Sequence, residues 1–141
     1  MDEWVAYLLM LPVAVVLVAA AMLFVWVGSA WVQTLGAGAP VSLFKLLTVW
    51  RRRIPVHEVV TAYLVSRKAG VPVEFDRYVE LRAIKRNPIR VATMLAARKL
   101  AEYPLEIDSV FNLELRGELA EYFRRWQRAA ARGEVPPELP R

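Results

Sequence analysis

Cysteine is absent from this sequence and histidine occurs once, at His57. Without a thiol there is no disulfide, no thiolate nucleophile and no cysteine zinc site. One imidazole cannot make a histidine-pair metal site, and a lone histidine beside a helix start reads as structural. Also missing are a glycine-rich phosphate loop, a GxSxG elbow, an HExxH pair and a DxDxDG calcium loop. Each carboxylate has a basic neighbour or a helix start to account for it. No catalytic residue, cofactor or metal is therefore expected, and the chain is read as a non-enzyme. Basic charge is lacking too, but only locally: no Lys or Arg precedes Lys45, and Asp2 and Glu3 are the only charged side chains before it.

What fills that basic-free third is apolar. From Trp4 to Val32 there is no charged residue, which passes the ~20 residues needed to cross a bilayer. Asp2 and Glu3 stand where a signal peptide would carry positive charge, and the apolar run is too long for one, so the segment reads as an uncleaved anchor. Trp4 and Tyr7 at one end, and Trp26 and Trp31 at the other, suit the two interfacial belts. Beyond it lie all 19 Lys and Arg against 12 acids. Arg51, Arg52 and Arg53, reinforced by Lys45, follow the span, and positive charge is retained on the cytoplasmic side. The expected location is the cell membrane, with the N-terminus outside and the C-terminal part cytoplasmic.

Gly36 to Pro40 is a flexible break. After it, Val41 to Trp50 carries Ser42, Lys45 and Thr48 as a stripe on an otherwise apolar stretch too short to span. We read an interfacial helix there, with Trp50 and the arginines at the water boundary. A core-facing connector or a re-entrant segment is the alternative. The membrane-interface residues are thus Trp26, Trp31, Lys45, Trp50, Arg51, Arg52 and Arg53.

The polar part contains a repetition. Val71-Pro72-Val73-Glu74-Phe75-Asp76 recurs as Tyr103-Pro104-Leu105-Glu106-Ile107-Asp108, and Arg67-Lys68 precedes the first as Arg98-Lys99 precedes the second. This spacing predicts two copies of a helical hairpin, each burying its apolar face on the other. A helix from about His57 to Ala69 is stopped by Gly70. Asn87-Pro88 opens the second unit with an N-cap and a proline at the first helical position. A last helix, from about Glu106 to Ala130, places Ile107, Val110, Phe111, Leu115, Leu119, Tyr122, Phe123 and Trp126 on one face. Its other face is charged, with Glu121 and Arg125 as an i,i+4 pair.

From Val41 to Leu119 these residues resemble the N-terminal region of the bacterial flotillin-like FloA family of membrane scaffold proteins. Val41-Ser42-Leu43-Phe44 through Arg51-Arg52-Arg53-Ile54-Pro55, then Lys68-Ala69-Gly70, are similar to family motifs. So are Asn87, Arg90, Val91, Leu95 and Ala97, and the acid-Leu-x-Gly element at Glu114, Leu115 and Gly117. Two features depart from the family pattern. Lys85-Arg86 stands where the family has Gly-Gly, so the turn there is expected to lose its positive φ. The family's SPFH domain and coiled coil are not in these 141 residues.

The sequence thus predicts an all-α membrane protein: one N-terminal transmembrane helix, a short interfacial helix, and a small cytoplasmic helical domain of two repeated hairpins. Its divisions are an anchor at 1–35, a hinge and basic segment at 36–53, the repeat domain at 54–131 and a disordered tail at 132–141. The resemblance implies a membrane-anchored scaffold or adaptor. The expected partners are anionic inner-leaflet lipids and either further copies of the chain or another membrane protein. Leu119, Tyr122, Phe123 and Trp126 are the expected protein-binding patch, because a two-hairpin core has no evident use for them. A tether for nucleic acid or ribosomes, or an accessory subunit whose Gly28-Ser29-Ala30 admits a neighbouring span, are the alternatives. Nucleic acid is the less favoured, because the aromatics near Arg124 and Arg125 fall largely on the apolar face.

Overall fold

The computed structural model describes residues 3–140, with the side chain of Glu3 excepted. Asp2 and the Glu3 side chain, which argue against a cleaved signal peptide, therefore lie outside the described residues. Seven helices and no strand are found among them: α1 (Glu3–Gly36), α2 (Leu43–Arg51), α3 (Val56–Lys68), α4 (Phe75–Ala83), α5 (Pro88–Leu100), α6 (Ile107–Arg116) and α7 (Leu119–Arg132). The all-helical class is as expected, and α1 is long and apolar enough to cross a membrane.

The repeat is larger than two hairpins. Helices α2, α4 and α6 start 32 residues apart, and so do α3 and α5. Pro40, Pro72, Pro104 and Pro136 keep the same interval, each three residues before an apolar side chain that turns inward, namely Leu43, Phe75, Ile107 and Leu139. The helix ends repeat as well. The N–H groups of Ala39, Val71 and Tyr103 donate to the carbonyls of Thr34, Ser66 and Arg98 at 3.0, 2.9 and 2.9 Å. Those of Ile54, Arg86 and Glu118 donate to Val49, Leu81 and Leu113 at 3.3, 3.1 and 3.0 Å. Both are closures across a left-handed residue, which satisfy carbonyls that a helix end leaves free.

The molecule is therefore a stack of helical hairpins that begins inside the apolar helix. The lower half of α1 pairs with α2, α3 with α4, and α5 with α6, while α7 and the tail form a fourth, incomplete unit. Equivalent positions are buried in each: Ala30, Ala62, Met94 and Trp126 on the long helices, then Leu46, Tyr78 and Val110, and Val49, Leu81 and Leu113 on the short ones. At roughly 1.5–3 kcal/mol for each fully buried Val or Leu, this shared core is the main stabilising term. The exposed arginines of α7 face away from it, giving the stack the polar cap that a terminal repeat requires.

Several expectations are corrected by this packing. The division between anchor and domain falls within α1, not near residue 35: side chains from Trp4 to Met22 are all exposed, whereas Leu23, Val27, Ala30, Trp31 and Thr34 face the stack. Segment 36–53 is not a hinge; α2 buries Leu46 and Val49, which matches the core-facing alternative. The last helix is two, broken at Gly117, whose φ of +77° ends α6. Lys85 retains a positive φ of 61° despite its side chain. Ile107 is half-buried, in contrast to the fully packed Phe75. Among the described residues, no ion pair joins Glu121 to Arg125. Finally, the tail is docked: Leu139 packs on the core, and the Tyr122 hydroxyl donates to the Pro137 carbonyl at 2.8 Å.

Candidate functional site

Trp26 stands where α1 passes from its exposed half into the stack. With Trp50, Arg51, Arg53, Ile54 and Pro55 it lines a cavity of about 530 Å³. Five of the seven expected interface residues, Trp26, Trp50, Arg51, Arg52 and Arg53, thus gather at one level, all exposed. The turn between α2 and α3 brings them there, because α2 runs back along α1 and delivers its C-terminal end beside Trp26. The other two are elsewhere. Trp31 is half-buried against the core, and Lys45 lies six residues before Arg51, ~9 Å along the helix, where its Nζ is 3.4 Å from Asp76. The same link recurs one unit later, between Arg77 and Asp108 at 2.8 Å.

The two edges of the stack differ in charge. On the edge beside Trp26, connections 52–55, 84–87 and 117–118 hold Arg52, Arg53, Lys85 and Arg86 against Glu118 alone. Arg51, Arg82 and Arg116, near the ends of the short helices, add to it. On the far edge, turns 69–74 and 101–106 and the tail 133–140 hold Glu74, Glu102, Glu106, Glu134 and Glu138 and no base. The bases in the last turns of α3, α5 and α7, namely Arg67, Lys68, Arg98, Lys99 and Arg132, equal those acids in number, so this edge is close to balanced while the first is basic.

The expected protein-binding patch is not a surface. Leu119, Tyr122 and Trp126 are 0, 1 and 6% exposed, and Phe123 is half-buried. Their partner lies within the chain: Arg98, itself buried, donates from Nε to the Pro104 carbonyl at 2.8 Å and from Nη1 to the Tyr122 hydroxyl at 3.0 Å. Glu106 is 3.6 Å from the same guanidinium, which also lies 5.5 Å from the Trp126 ring centroid. A buried cation is tolerated when its charge is paired and its donors are met. Burial raises the Tyr122 phenol above its ordinary pKa, with Arg98 partly opposing. This burial also removes the aromatic platform on which single-stranded nucleic acid would stack. Ala30 likewise packs within the chain, and lines a small cavity with Trp26, Ser29, Val56 and His57, whereas Ser29 beside it is exposed.

A second cluster unites the residues singled out by the family resemblance. Glu114 is 2% exposed; its Oε1 accepts from the Asn87 N–H at 3.0 Å and its Oε2 from Arg90 Nη1 at 3.4 Å. Asn87 Oδ1 accepts from the Arg90 N–H at 3.2 Å, the N-cap bond expected of it. Gly117 closes the group, since a Cβ there would meet Arg86 Nη1 at 3.3 Å and the φ of +77° disfavours any side chain. These bonds tie the start of α5 to α6. No three His, Asp or Glu side chains converge among the described residues. Comparison with known proteins finds no matching family model, no matching curated protein and no matching solved structure.

Proposed function

We propose that this chain is a non-enzymatic membrane-anchored scaffold or adaptor, comparable to the N-terminal region of the flotillin-like FloA proteins it resembles. The observation that carries the reading is the continuity of α1. One helix supplies both the exposed apolar segment and the first long helix of the stack, with the aromatic-basic level of Trp26, Trp50 and Arg51 to Arg53 at the transition. The exposed stretch from Trp4 to Met22 measures ~28 Å, close to the ~30 Å hydrocarbon thickness. Trp26 and Trp50 then fall at the headgroups and the arginines on the retained, cytoplasmic side. The stack is held edge-on beneath the inner leaflet, with its basic edge toward the lipid and its charge-balanced edge toward the cytoplasm. Its partners are anionic lipid and further copies of the chain or another membrane protein.

Two measurements test this. A tag placed after Arg141 should resist protease added to intact cells and be cleaved after permeabilisation; cleavage from outside would reverse the topology. Crosslinking in native membranes followed by purification should recover many copies of the chain for a scaffold. One stoichiometric membrane protein would instead indicate an accessory subunit, and RNA or DNA a tether.

A further inference from the structure

We infer that the basic edge contains a discrete site for one phosphate group, that of an anionic phospholipid headgroup, formed by Arg52, Arg53 and Lys85. This rests on the membrane-anchored reading above. The three side chains line a cavity of about 560 Å³ with Ile54, Pro55, Arg82 and Ala83, between the α2–α3 turn and the C-terminal end of α4. Arg82 is engaged, donating to Glu58 at 2.7 Å, but the side chains of Arg52, Arg53 and Lys85 have no hydrogen-bond or ion-pair partner among the described residues. All three are exposed.

Cations at helix C-termini have a structural explanation, since they offset the dipole. Magnitude decides against that explanation as the whole account. The ends of α2 and α4 contribute about half a negative charge each, and Glu58 one more, against four full positive charges. About two positive charges remain unneutralised, enough for a phosphodiester or a phosphomonoester. Backbone strain points the same way without being decisive. Arg53 and Lys85 take φ of 57° and 61° at the position equivalent to Gly117, where glycine fits without strain. Glu102 holds a comparable φ on the far edge, so positive φ alone marks no site; at this edge, however, both strained residues are cations facing one cavity.

The neighbouring cavity favours lipid over free anion. Arg53, Ile54 and Pro55 are shared with the aromatic cavity of Trp26 and Trp50 beside α1. A polar, cationic pocket thus abuts an apolar one along the exposed helix, the order in which a phospholipid presents its phosphate and its acyl chains.

The test uses the full chain in detergent with phosphatidylglycerol as the probe, read by native mass spectrometry. Wild type should retain one lipid. The triple variant Arg52→Gln, Arg53→Gly and Lys85→Gly should bind it about a hundredfold more weakly, at roughly a factor of five per lost charge near a membrane surface. An equal charge loss on the α7 cap, Arg124→Gln, Arg125→Gln and Arg128→Gln, should leave binding within twofold. Equal weakening in both variants would overturn the site in favour of diffuse attraction. Inorganic phosphate is the second arm: displacement of the lipid at equal concentration would show a free-anion site and overturn the lipid assignment. Far-ultraviolet circular dichroism confirms that the variants fold. Protease protection of the C-terminal tag is read in parallel, so that a wrong topology and a missing site give different results.

Discussion

The two halves of α1 are chemically alike and structurally opposite. From Trp4 to Met22 every side chain is exposed, while from Leu23 to Thr34 the same kind of residue forms the wall of a repeat core. What separates them is neighbours, not hydropathy: the lower half meets α2 and α3, and the upper half meets nothing in this chain. Small residues mark the change, since Ala30 and the buried Thr34 let α3 and the following turn approach closely. An apolar run thus shows that a segment avoids water, without showing what shields it.

The largest effect should come from emptying a position in the first unit. Leu46→Ala, at a side chain with no exposure, should cost roughly 2–5 kcal/mol in denaturant unfolding of the detergent-solubilised protein. Leu17→Ala in the exposed half should change the same curve by no more than about 0.5 kcal/mol. Equal losses would erase the distinction between the halves. Next is Glu114→Ala, which strands the Asn87 N–H and Arg90 and should cost about 1–3 kcal/mol by the same measurement. A wild-type midpoint there would mean that the knot joining α5 to α6 contributes nothing. The left-handed positions should respond in opposite directions. Gly117→Ala should lower the unfolding free energy by about 1–2 kcal/mol, and Lys85→Gly should leave it unchanged or raise it by up to about 1 kcal/mol.

Smallest are the tyrosines. Tyr78 is fully buried and its hydroxyl has no partner of good hydrogen-bond geometry among the described residues; burial raises its pKa above 10.0, with the nearby Ser66 hydroxyl and Arg77 partly opposing. A phenol harder to ionise when folded contributes no pH dependence below its unfolded value, and stability falls as pH rises past about 10 toward the folded value. Tyr122 acts in the same sense. A melting temperature that stays flat from pH 9 to pH 11.5 would contradict this. At neutral pH, Tyr78→Phe should be neutral or stabilising by less than about 1 kcal/mol, because it removes an unpaired buried group.

The central hairpins were legible in the sequence because Pro, Glu and Asp recur at fixed places among varied residues. The first copy was hidden by composition. Ala39-Pro40-Val41-Ser42-Leu43-Phe44 keeps the proline and the inward apolar residue, but Ser42 and Phe44 replace the acids, and the surrounding apolar run drew attention to the membrane. The last copy was masked by Pro136, Pro137 and Pro140, which read as disorder although Leu139 continues the register. Gly117 reads as helix interior because periodicity continues across it, and its equivalents Arg53 and Lys85 carry no local sign that the backbone turns left-handed there. The basic-aromatic collar was legible through charge and Trp placement. Burial of Leu119, Tyr122 and Trp126 was not, since it depends on Arg98 and on a tail whose docking no local pattern announces.

In the proposed membrane-anchored arrangement, a helix shared between bilayer and stack would also act as a lever. Below Pro12 nothing interrupts α1 before Gly36, so the orientation of the exposed half fixes that of the first unit. The other units are stacked upon it at the usual 8–10 Å between packed helices, which puts α7 some ~30 Å to the side. A span that tilts by roughly 10° as a bilayer thins would therefore swing α7 through about 5 Å, without breaking a hydrogen bond. A tethered domain on a loose linker would feel no such rotation; this one takes its angle to the membrane plane from the lipid thickness itself.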